Sequence, residues 1–533
     1  MSDMAAHQSI WRQNETANRS GLEEDLRCDV CVVGAGIAGL STAYSLAKER
    51  LRVVVIDKGT IGGGETLHTT AHLATSLDDR YHVIRALHGE QGAKMCAASH
   101  AAAIDCIESV VTAHRIDCDF ERVSGYLFLP PGAPLDELQT ELSAARAAGA
   151  EVEAAPRVPW PDYEAGPCLR FARQGQINAA RYMAGLARAF EEAGGRIFCG
   201  TEMKGLARNP LQITTQNGRT VSCHAVVLAT NTPSINRVSV HIKQAAYRTY
   251  ALALRVPAGY VPHGLYWDTR QRVEDSQDSA YHYVRVASLD AQGPTVAPHG
   301  EEVLIVGGED HRTGQEDDGE ARWNRLEAWA RERFPKAGDI ECKWSGQVWE
   351  PADHVAFIGR NPNDTDEVYI VTGDSGMGMT HGAIAGLILP ELIEGRTHPW
   401  SRLYDPARVT LRSGDLYQEN INTAAQYMDW LKPGDVESVE EIRPGCGALV
   451  RSGLALHAVY RDDSGSLHEC SAVCPHLGGI VHWNSAEATW DCPCHGSRFD
   501  VEGRVLTGPA TAPLTVLKPQ ATDPVHKVKV EAG

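Results

Sequence analysis

Residues 28–57 read CDVCVVGAGIAGLSTAYSLAKERLRVVVID, and this stretch decides the fold of the first part of the chain. Two apolar runs of strand length, Val30–Val33 and Val53–Ile56, flank a segment with apolar residues at helical spacing. The turn between the first run and the helix carries a G-x-G-x-x-G pattern made by Gly34, Gly36 and Gly39. The order of strand, glycine-rich turn, helix and strand predicts a βαβ unit.

Glycines with this spacing serve dinucleotide binding, each in its own way. The first permits a tight turn, the second lets a pyrophosphate approach the backbone, and the third lets helix and strand pack closely. The helix N-terminus adds free N–H groups and a partial positive charge. An acid at the end of the second strand, Asp57 here and followed by Lys58, can accept hydrogen bonds from a ribose. We therefore predict a bound dinucleotide, against the alternative of a glycine-rich loop without a ligand.

The composition limits the classes of partner. The chain has 533 residues, 43% of them hydrophobic, and this length predicts two or three domains. Its formal net charge of −19 argues against nucleic acid or an anionic membrane surface as a partner. No apolar run approaches the roughly 20 residues of a membrane span. Residues 1–26 are polar and unlike a signal peptide, and the 14 cysteines lack regular spacing, so we expect reduced thiols and a cytoplasmic location.

Glycine-rich or small-residue segments follow three of the predicted strands. They are residues 61–73, residues 229–231 after a predicted strand over 221–228, and residues 372–380. The first holds Gly64, Thr66 and His68 in a loop whose backbone can approach a ligand closely. The last reads TGDSGMGMT and does not repeat the G-x-G-x-x-G pattern, so we expect no unit for a pyridine nucleotide.

Residues 245–340 have a different character. Aromatic and β-branched runs at 247–254, 281–286 and 303–306 predict an antiparallel sheet in a separate lobe. His282 and Arg285 lie there and are candidates for the substrate site, because an arginine can bind a carboxylate through two hydrogen bonds. The alternative is an arginine on a solvated face of the sheet.

Residues 28–405 resemble the FAD-dependent oxidoreductases of the D-amino acid oxidase class, which includes glycine and sarcosine oxidases. The resemblance rests on the glycine pattern at 34–39 with Asp57, the ATN turn at 229–231 and the TGDSGMGMT segment. It implies a Rossmann-type FAD-binding domain of α/β (or α+β) class with an antiparallel-sheet substrate lobe. It also implies that FAD is contacted by Gly64, Thr66, His68, Ala229, Thr230, Gly373, Gly376, Gly378 and Met379.

The segment GETLH at 64–68 is similar to GSTWH in the dimethylglycine and sarcosine dehydrogenases, where the histidine is covalently bonded to the flavin. His68 occupies that position, although Leu67 replaces the tryptophan. The resemblance implies either a covalent bond from His68 to the flavin or a polar contact at the edge of the ring.

Two short motifs near the C-terminus, CPHLGG at 474–479 and CPCHGS at 492–497, predict a second cofactor. They supply two thiolates and two imidazoles, from Cys474, Cys492, His476 and His495. Such a set can hold a 2Fe–2S cluster, with the thiolates on one iron and the imidazoles on the other, or a zinc ion. Residues 437–530 resemble the Rieske family throughout, which implies a small all-β domain with a 2Fe–2S cluster.

Two positions depart from the Rieske proteins of cytochrome bc complexes. Those proteins have a disulfide between the two loops, whereas Gly479 is the position opposite Cys494 here, so we expect a free thiol. They also have a tyrosine whose hydroxyl bonds a ligand sulfur where this chain has Phe499, while the family serine is retained as Ser497. Loss of a hydrogen bond to sulfur predicts a potential in the lower half of the Rieske range.

These features divide the chain into an N-terminal arm at 1–26, an oxidoreductase domain at 27–405, a linker at 406–436 and a Rieske domain at 437–533. Within the oxidoreductase domain, the FAD-binding parts cover about 27–120, 170–235 and 341–405, and the substrate lobe covers about 121–169 and 236–340.

The two resemblances imply an oxidoreductase that oxidises an amine or amino acid at the flavin. Electrons then pass through the Rieske cluster to an external acceptor such as a ferredoxin, a quinone or oxygen. The alternative is a flavin and iron–sulfur protein that transfers electrons or senses redox state without amine turnover. A Rieske oxygenase would need a mononuclear iron site of pattern D-x-x-H-x-x-x-x-H, and the nearest match, Asp79, His82 and His88, is one residue too long.

Overall fold

The computed structural model describes residues 8–13, 19–232, 235, 240–269, 281–288, 300–409 and 414–517. Parts of the predicted arm, substrate lobe and linker, and residues 518–533 of the predicted Rieske domain, lie outside the described residues. Within the described ranges the strands form five sheets.

The predicted βαβ unit lies in the middle of a six-stranded sheet. Its strands, in spatial order, are Phe357–Arg360, Val368–Thr372, Ala225–Leu228, Val30–Val33, Val53–Ile56 and Arg196–Phe198. All neighbours are parallel except the first pair. The valine-rich central strands are buried along their whole length, as expected for a parallel sheet covered on both faces.

A four-stranded sheet adjoins the six-stranded one and corrects one expected strand. It consists of Leu26–Arg27, Thr220–Ser222, Leu211–Thr215 and Met203–Arg208. The strand predicted over 221–228 is in fact two strands, because Ser222 pairs in the four-stranded sheet and Ala225 pairs with Val30 in the six-stranded sheet.

The second lobe is built on a nine-stranded sheet. Its strands, in spatial order, are Ile340–Pro351, Gln244–Pro257, Glu301–Arg312, His282–Ser288, Leu265–Asp268, Glu121–Phe128, Cys168–Gln176 and His72–Leu73, with Val152–Ala155 also paired to Cys168–Gln176. Its pairs are antiparallel except that between Leu265–Asp268 and Glu121–Phe128. The expected antiparallel lobe is confirmed.

Helices cover both sheets. The described α-helices are Ile37–Lys48, Tyr81–His114, Asp136–Ala148, Ala179–Glu192, Gly319–Arg333, Gly378–Ile393, Ser401–Tyr404 and Gly414–Gln426. Short 3-10 turns lie at Ile10–Gln13, Glu65–His68, His241–Lys243, Tyr427–Leu431 and Val439–Glu441. None of the described helices combines the length and apolar composition that a membrane span requires.

The C-terminal unit is small and all-β, as predicted. One sheet contains Cys446–Ser452, Ala455–Arg461 and Leu467–Ser471, and the other contains His482–Asn484, Thr489–Asp491, Arg498–Phe499 and Val505–Thr507. Its core includes the buried Leu449, Trp490 and Phe499. The turn Tyr427–Leu431 attaches the preceding helix to this unit, because Trp430 Nε1 donates a hydrogen bond to the carbonyl oxygen of Gly478 at 2.9 Å.

Candidate functional site

The carboxyl ends of the parallel strands meet at one edge of the six-stranded sheet. Directly after these strands come Gly34, Asp57, Ala229 and Gly373. Because parallel strands in matched register end together, the segments that follow them border one cleft, although Gly373 itself is not among its lining residues. A cavity of ≈ 420 Å³ lies in the cleft. Its lining includes most of the predicted FAD contacts, namely Gly34, Gly36, Asp57, Lys58, Gly64, Thr66, His68, Ala229, Thr230, Gly376, Gly378 and Met379.

Two of the glycines are explained by conformation and close approach. Gly34 has a φ of +111°, and a Cβ there would lie 2.2 Å from the carbonyl oxygen of Ala229. A Cβ at Gly39 would lie 1.9 Å from the carbonyl oxygen of Gly34. A side chain at Gly34 would clash with the segment that follows the neighbouring strand, and a side chain at Gly39 would push the helix away from its own strand. The turn therefore keeps a bare backbone beside the cavity, which fits a pyrophosphate.

Asp57 both fixes this turn and lines the cavity. Its carboxylate accepts hydrogen bonds from the amides of Ala35 at 2.6 Å and Gly59 at 2.7 Å. Burial raises the pKa of Asp57 above its ordinary value, and the two amides oppose that increase. Lys58 also lines the cavity, and its Nζ donates to the carbonyl oxygen of Leu506 in the C-terminal unit at 2.5 Å.

The cavity is also bordered by the loop before Gly378–Ile393 and by the turn Glu65–His68. The helix begins at this wall, which brings the positive end of its dipole to the cavity. His68 lines the same region, and its Nδ1 lies 3.1 Å from the carbonyl oxygen of Gly64. A covalent bond from His68 to the flavin stays a prediction.

The nine-stranded sheet supplies a further part of the lining that the sequence analysis missed. His72, Thr249, Trp267, Tyr283 and Gln347 come from its strands, Tyr281 directly precedes one of them, and Asp78 lies in the turn before the helix Tyr81–His114. The sequence offered one indication of this lining. Tyr281 and Tyr283 are two residues apart in one extended segment, so their side chains lie on the same face. Which face meets the cavity depends on sheet packing, which local sequence does not reveal.

The alternation places the candidate His282 on the wrong face for a substrate contact. Its side chain is buried, with Nδ1 2.9 Å from a carboxylate oxygen of Asp268 and Nε2 3.5 Å from one of Glu309. Burial lowers the pKa of His282, but the two carboxylates raise it overall. His282 is absent from the cavity lining, and its two ring nitrogens face carboxylates of the sheet, so the structure does not bring it to the cavity.

Arg285, the other candidate, is also outside the lining. Its guanidinium is buried and donates to the backbone carbonyl oxygens of Thr70, Ala71 and Ile177, at 3.2, 2.8 and 3.0 Å. Burial lowers the pKa of Arg285 to about 9. The arginine holds the loop after His68 against the sheet, so it is not a solvated arginine, and its guanidinium donates to backbone carbonyls outside the cavity lining.

The four predicted cluster ligands come together from two neighbouring loops. The thiols of Cys474 and Cys492 lie against each other. The rings of His476 and His495 are perpendicular, with centroids 5.0 Å apart. In the described structure, no three of these ligand atoms lie within 4.8 Å of one another. A tetrahedral zinc site would bring them that close, whereas two irons separate a thiolate pair from an imidazole pair, so the donor set fits a 2Fe–2S cluster.

The surroundings of the ligands include the three positions noted in the sequence. Ser497 hydrogen-bonds the thiol of Cys474. Phe499 is fully buried and has no hydroxyl to offer. A Cβ at Gly479 would lie 2.5 Å from Sγ of Cys494, which is a free thiol.

The cofactor cavity and the cluster loops are adjacent. Gln347 lines the cavity, and its Nε2 donates to the carbonyl oxygen of Gly496, the residue after His495, at 2.8 Å. The buried ring of His241 packs edge-on against His476, with centroids 5.1 Å apart. The two parts of the chain are therefore in direct contact beside a proposed cluster ligand.

Buried charges reinforce this contact. Arg248, only 1% exposed, lies 2.6 Å from Glu487 of the C-terminal unit. Glu487 is also 2.8 Å from Arg498, which is 3.0 Å from Asp491. Burial opposes ionisation of Glu487, but Arg248 and Arg498 outweigh it and lower its pKa to about 2. Two guanidinium groups and two carboxylates thus compensate one another across the contact.

The C-terminal unit also contributes to the cavity itself. Part of the lining near Asp57 and Lys58 comes from Val505, Leu506, Gly508, Ala510 and Thr511. The sequence did not predict this, because it follows from how the two parts dock.

The pattern considered for a mononuclear iron site does not converge. Asp79 accepts a hydrogen bond from Ser375 at 2.7 Å. His82 is 2.8 Å from Glu141, and His88 is 2.7 Å from the carbonyl oxygen of Asp353. Asp79, His82 and His88 bond to three different sets of partners and do not come together around one metal position.

Comparisons with known proteins agree with this architecture. The family model for FAD dependent oxidoreductases (DAO) matches residues 29–392, and the model for the Rieske [2Fe-2S] domain matches residues 432–518. The Rieske 2Fe-2S iron-sulfur protein YhfW of Bacillus subtilis (strain 168) is 29% identical over 518 residues, which cover 96% of this chain and 97% of that protein. Gamma-glutamylputrescine oxidoreductase of Escherichia coli (strain K12) is 26% identical over 409 residues, covering 72% of this chain and 87% of that protein.

A similar fold is found among solved structures. Glycine oxidase from Geobacillus kaustophilus superposes with a TM-score of 0.58 at 18% identity, covering 72% of this chain and 99% of that chain. The glycine turn, the two large sheets and the Cys and His pairs agree with the two family models, the first of which covers more than half of the chain. The chain therefore belongs to the family of FAD dependent oxidoreductases (DAO) and carries a C-terminal Rieske [2Fe-2S] domain, with FAD and a 2Fe–2S cluster as its cofactors.

Proposed function

We propose that this chain oxidises an amine or amino acid at FAD and delivers the electrons through its own Rieske cluster to an external acceptor. One observation carries the proposal: Gln347 lines the cofactor cavity and hydrogen-bonds Gly496, beside the cluster ligand His495. FAD supplies a two-electron acceptor and the cluster supplies a one-electron carrier. Because the two binding sites are adjacent, the structure is compatible with electron transfer within the chain.

The proposal assigns each cofactor to particular residues. The FAD contacts are Gly34, Gly36, Gly39, Asp57, Lys58, Gly64, Thr66, His68, Ala229, Thr230, Gly373, Gly376, Gly378 and Met379. The cluster ligands are Cys474 and Cys492 on one iron and His476 and His495 on the other. The oxidoreductase domain is assigned to 27–405 and the Rieske domain to 437–533.

The reaction balances for a simple amine. R–CH2–NH3+ becomes R–CH=NH2+ and releases two electrons and two protons. The names of the relatives support this class, since one acts on gamma-glutamylputrescine and a similar fold belongs to a glycine oxidase. The acceptor is a ferredoxin, a quinone or oxygen. None of the 14 cysteines, of which Cys474 and Cys492 are assigned to the cluster, forms a disulfide in the structure, which supports a cytoplasmic site of action.

The test is anaerobic mixing of the purified holoprotein with a panel of amines and amino acids. We expect at least one compound to bleach the flavin absorbance and to produce the electron paramagnetic resonance signal of the reduced cluster. Cys474→Ser should lose the signal, and the flavin that the variant retains should still be bleached. Gln347→Leu should slow appearance of the signal more than bleaching, whereas the exposed Gln139→Leu should change neither.

Two results would contradict the proposal. If dithionite reduces both centres but no compound of the panel does, the chain transfers electrons or senses redox state without amine turnover. If a compound bleaches the flavin while the cluster stays oxidised, electrons leave by another route.

A further inference from the structure

The segment at 67–71 joins the 3-10 turn Glu65–His68 to the strand His72–Leu73. Three of its residues, His68, Thr69 and Thr70, line the cofactor cavity. Because the segment is irregular, its backbone carbonyl oxygens rely on donors from other parts of the chain. The source of those donors shows which parts of the protein fix this wall of the cavity.

Two side chains of the nine-stranded sheet donate to the segment. Trp344 Nε1 donates to the carbonyl oxygen of His68 at 2.8 Å. The guanidinium of Arg285 donates to the carbonyl oxygens of Thr70 and Ala71, at 3.2 and 2.8 Å. Both donors are buried and lie outside the cavity lining, so the sheet holds the segment from behind.

The N-terminal arm supplies the donors for the two remaining carbonyl oxygens. Ser9 Oγ donates to that of Leu67, and Trp11 Nε1 donates to that of Thr69 at 2.5 Å. Ser9 and Trp11 are only 1% and 3% exposed. Residues 9–11, which we call the clasp, therefore complete a set in which all five carbonyl oxygens at 67–71 have a side-chain donor.

Apolar packing holds the clasp in place. Ile10 and Trp11 belong to a buried cluster that also contains Leu67, Ala71 and Trp344. The Trp11 ring also lies 5.5 Å from the guanidinium of Arg285, which stabilises both donors where they meet. The clasp is thus packed against the same segment to which it donates hydrogen bonds.

We propose that the clasp is part of the FAD site, with Ser9 and Trp11 as positioning residues that hold the segment at 67–71 in the conformation that FAD requires. A segment whose carbonyl oxygens all have donors is ordered before FAD binds, so binding costs less conformational entropy. Removal of one donor leaves a buried carbonyl oxygen unpaired in that conformation and favours others. The inference concerns FAD binding and holds for any substrate that the flavin oxidises.

The test compares Trp11→Phe with Trp160→Phe in the holoprotein. Phenylalanine keeps an aromatic ring at position 11 and removes the N–H that bonds Thr69. Trp160 is a similarly buried indole that packs against Phe128 and Phe334 and lies outside the cavity lining. After dilution, Trp11→Phe should release FAD about tenfold faster than the wild-type chain, measured by the fluorescence of free FAD. Trp160→Phe should release FAD at the wild-type rate, even where its Tm is lower.

A second variant and a second measurement complete the test. Ser9→Ala removes the other donor of the clasp without changing the aromatic packing, so it should also speed the release of FAD. Amide hydrogen exchange of the peptide 64–73 applies equally to a flavin that is covalently bonded and cannot leave. In both clasp variants this peptide should exchange about tenfold faster, while the strand Val30–Val33 exchanges at the wild-type rate.

The inference would be overturned if both clasp variants release FAD and exchange the peptide 64–73 at wild-type rates. Equal acceleration in Trp11→Phe and Trp160→Phe would also overturn it, because the loss would then come from general destabilisation. Faster release in the clasp variants, together with failure of every amine to reduce the flavin, would leave the clasp standing and refute the catalytic proposal.

Discussion

Replacement of Glu487 by Gln tests the buried charges that join the two domains. Glu487 of the Rieske domain contacts Arg248 across the interface and Arg498 within its own domain. The neutral amide keeps the size of the side chain and removes its charge. Two buried guanidinium groups then lose one of their compensating carboxylates, so the variant should be destabilised.

The magnitude follows from the pKa of Glu487, which is lowered from 4.5 to about 2. Each pKa unit corresponds to about 1.4 kcal/mol, so the ionised carboxylate contributes about 3 kcal/mol. Because the folded pKa lies below the unfolded one, this contribution is complete above about pH 4.5 and is lost as the pH falls toward 2. It should have fallen to about half near pH 3.

The assay is thermal unfolding of the holoprotein, followed by the visible circular dichroism of the cluster at pH 7 and at pH 3. For a domain of this size, about 3 kcal/mol corresponds to a decrease in Tm of roughly 10–20 °C. Glu502→Gln removes an exposed carboxylate of the same domain, paired with Arg504, and should change stability by less than about 0.5 kcal/mol.

Equal values of Tm for Glu487→Gln and Glu502→Gln at pH 7 would refute the reasoning. So would a deficit in Glu487→Gln that is the same at pH 7 and pH 3, because the loss would then come from altered packing and not from charge.

Three further predictions concern the cofactors. In Gly479→Cys, oxidation should form a reversible disulfide with Cys494, because a Cβ at position 479 would lie 2.5 Å from Sγ of Cys494. The oxidised variant should then have two fewer titratable thiols than the reduced variant. An unchanged thiol count would contradict this close approach. Phe499→Tyr should raise the midpoint potential of the cluster within the Rieske range of roughly −150 to +300 mV if the hydroxyl reaches a ligand sulfur, and an unchanged potential near the top of that range in both proteins would be contrary evidence. If His68 is bonded to the flavin, acid precipitation should leave the yellow chromophore on the polypeptide and His68→Ala should release it, whereas free flavin from the wild-type chain would exclude the bond.

Features encoded by neighbouring residues were predictable from the sequence. The turn at Gly34 and the strand end at Asp57 lie within 30 residues, and their roles depend on backbone geometry that glycine and strand periodicity dictate. The loops containing Cys474 and Cys492 are likewise recognisable, because ligand type and spacing alone restrict the metal chemistry.

Features that depend on packing between distant segments were not predictable. Arg285 was expected at a substrate, but its three carbonyl partners come from two segments more than 100 residues away. His282 lies outside the cavity lining, which the sequence could not indicate, because strand alternation shows which residues share a face and not which face borders the cavity. The hydrogen bond from Gln347 to Gly496 has no local signal, since it arises only when the two domains dock.

Residues 505–511 of the Rieske domain line part of the cofactor cavity, so the binding of flavin depends on a domain that folds around iron. A metal centre stabilises the loops that hold it, so a Rieske domain made during iron shortage lacks part of its folding energy. Its contribution to the cavity, including the contact between Leu506 and Lys58, is weakened in the same chain. We expect such chains to retain flavin poorly although iron and flavin do not share a ligand. During iron shortage the chains would then lack both cofactors and be colourless. Chains that carried flavin without the cluster would accept electrons from the substrate and could not pass them to the cluster.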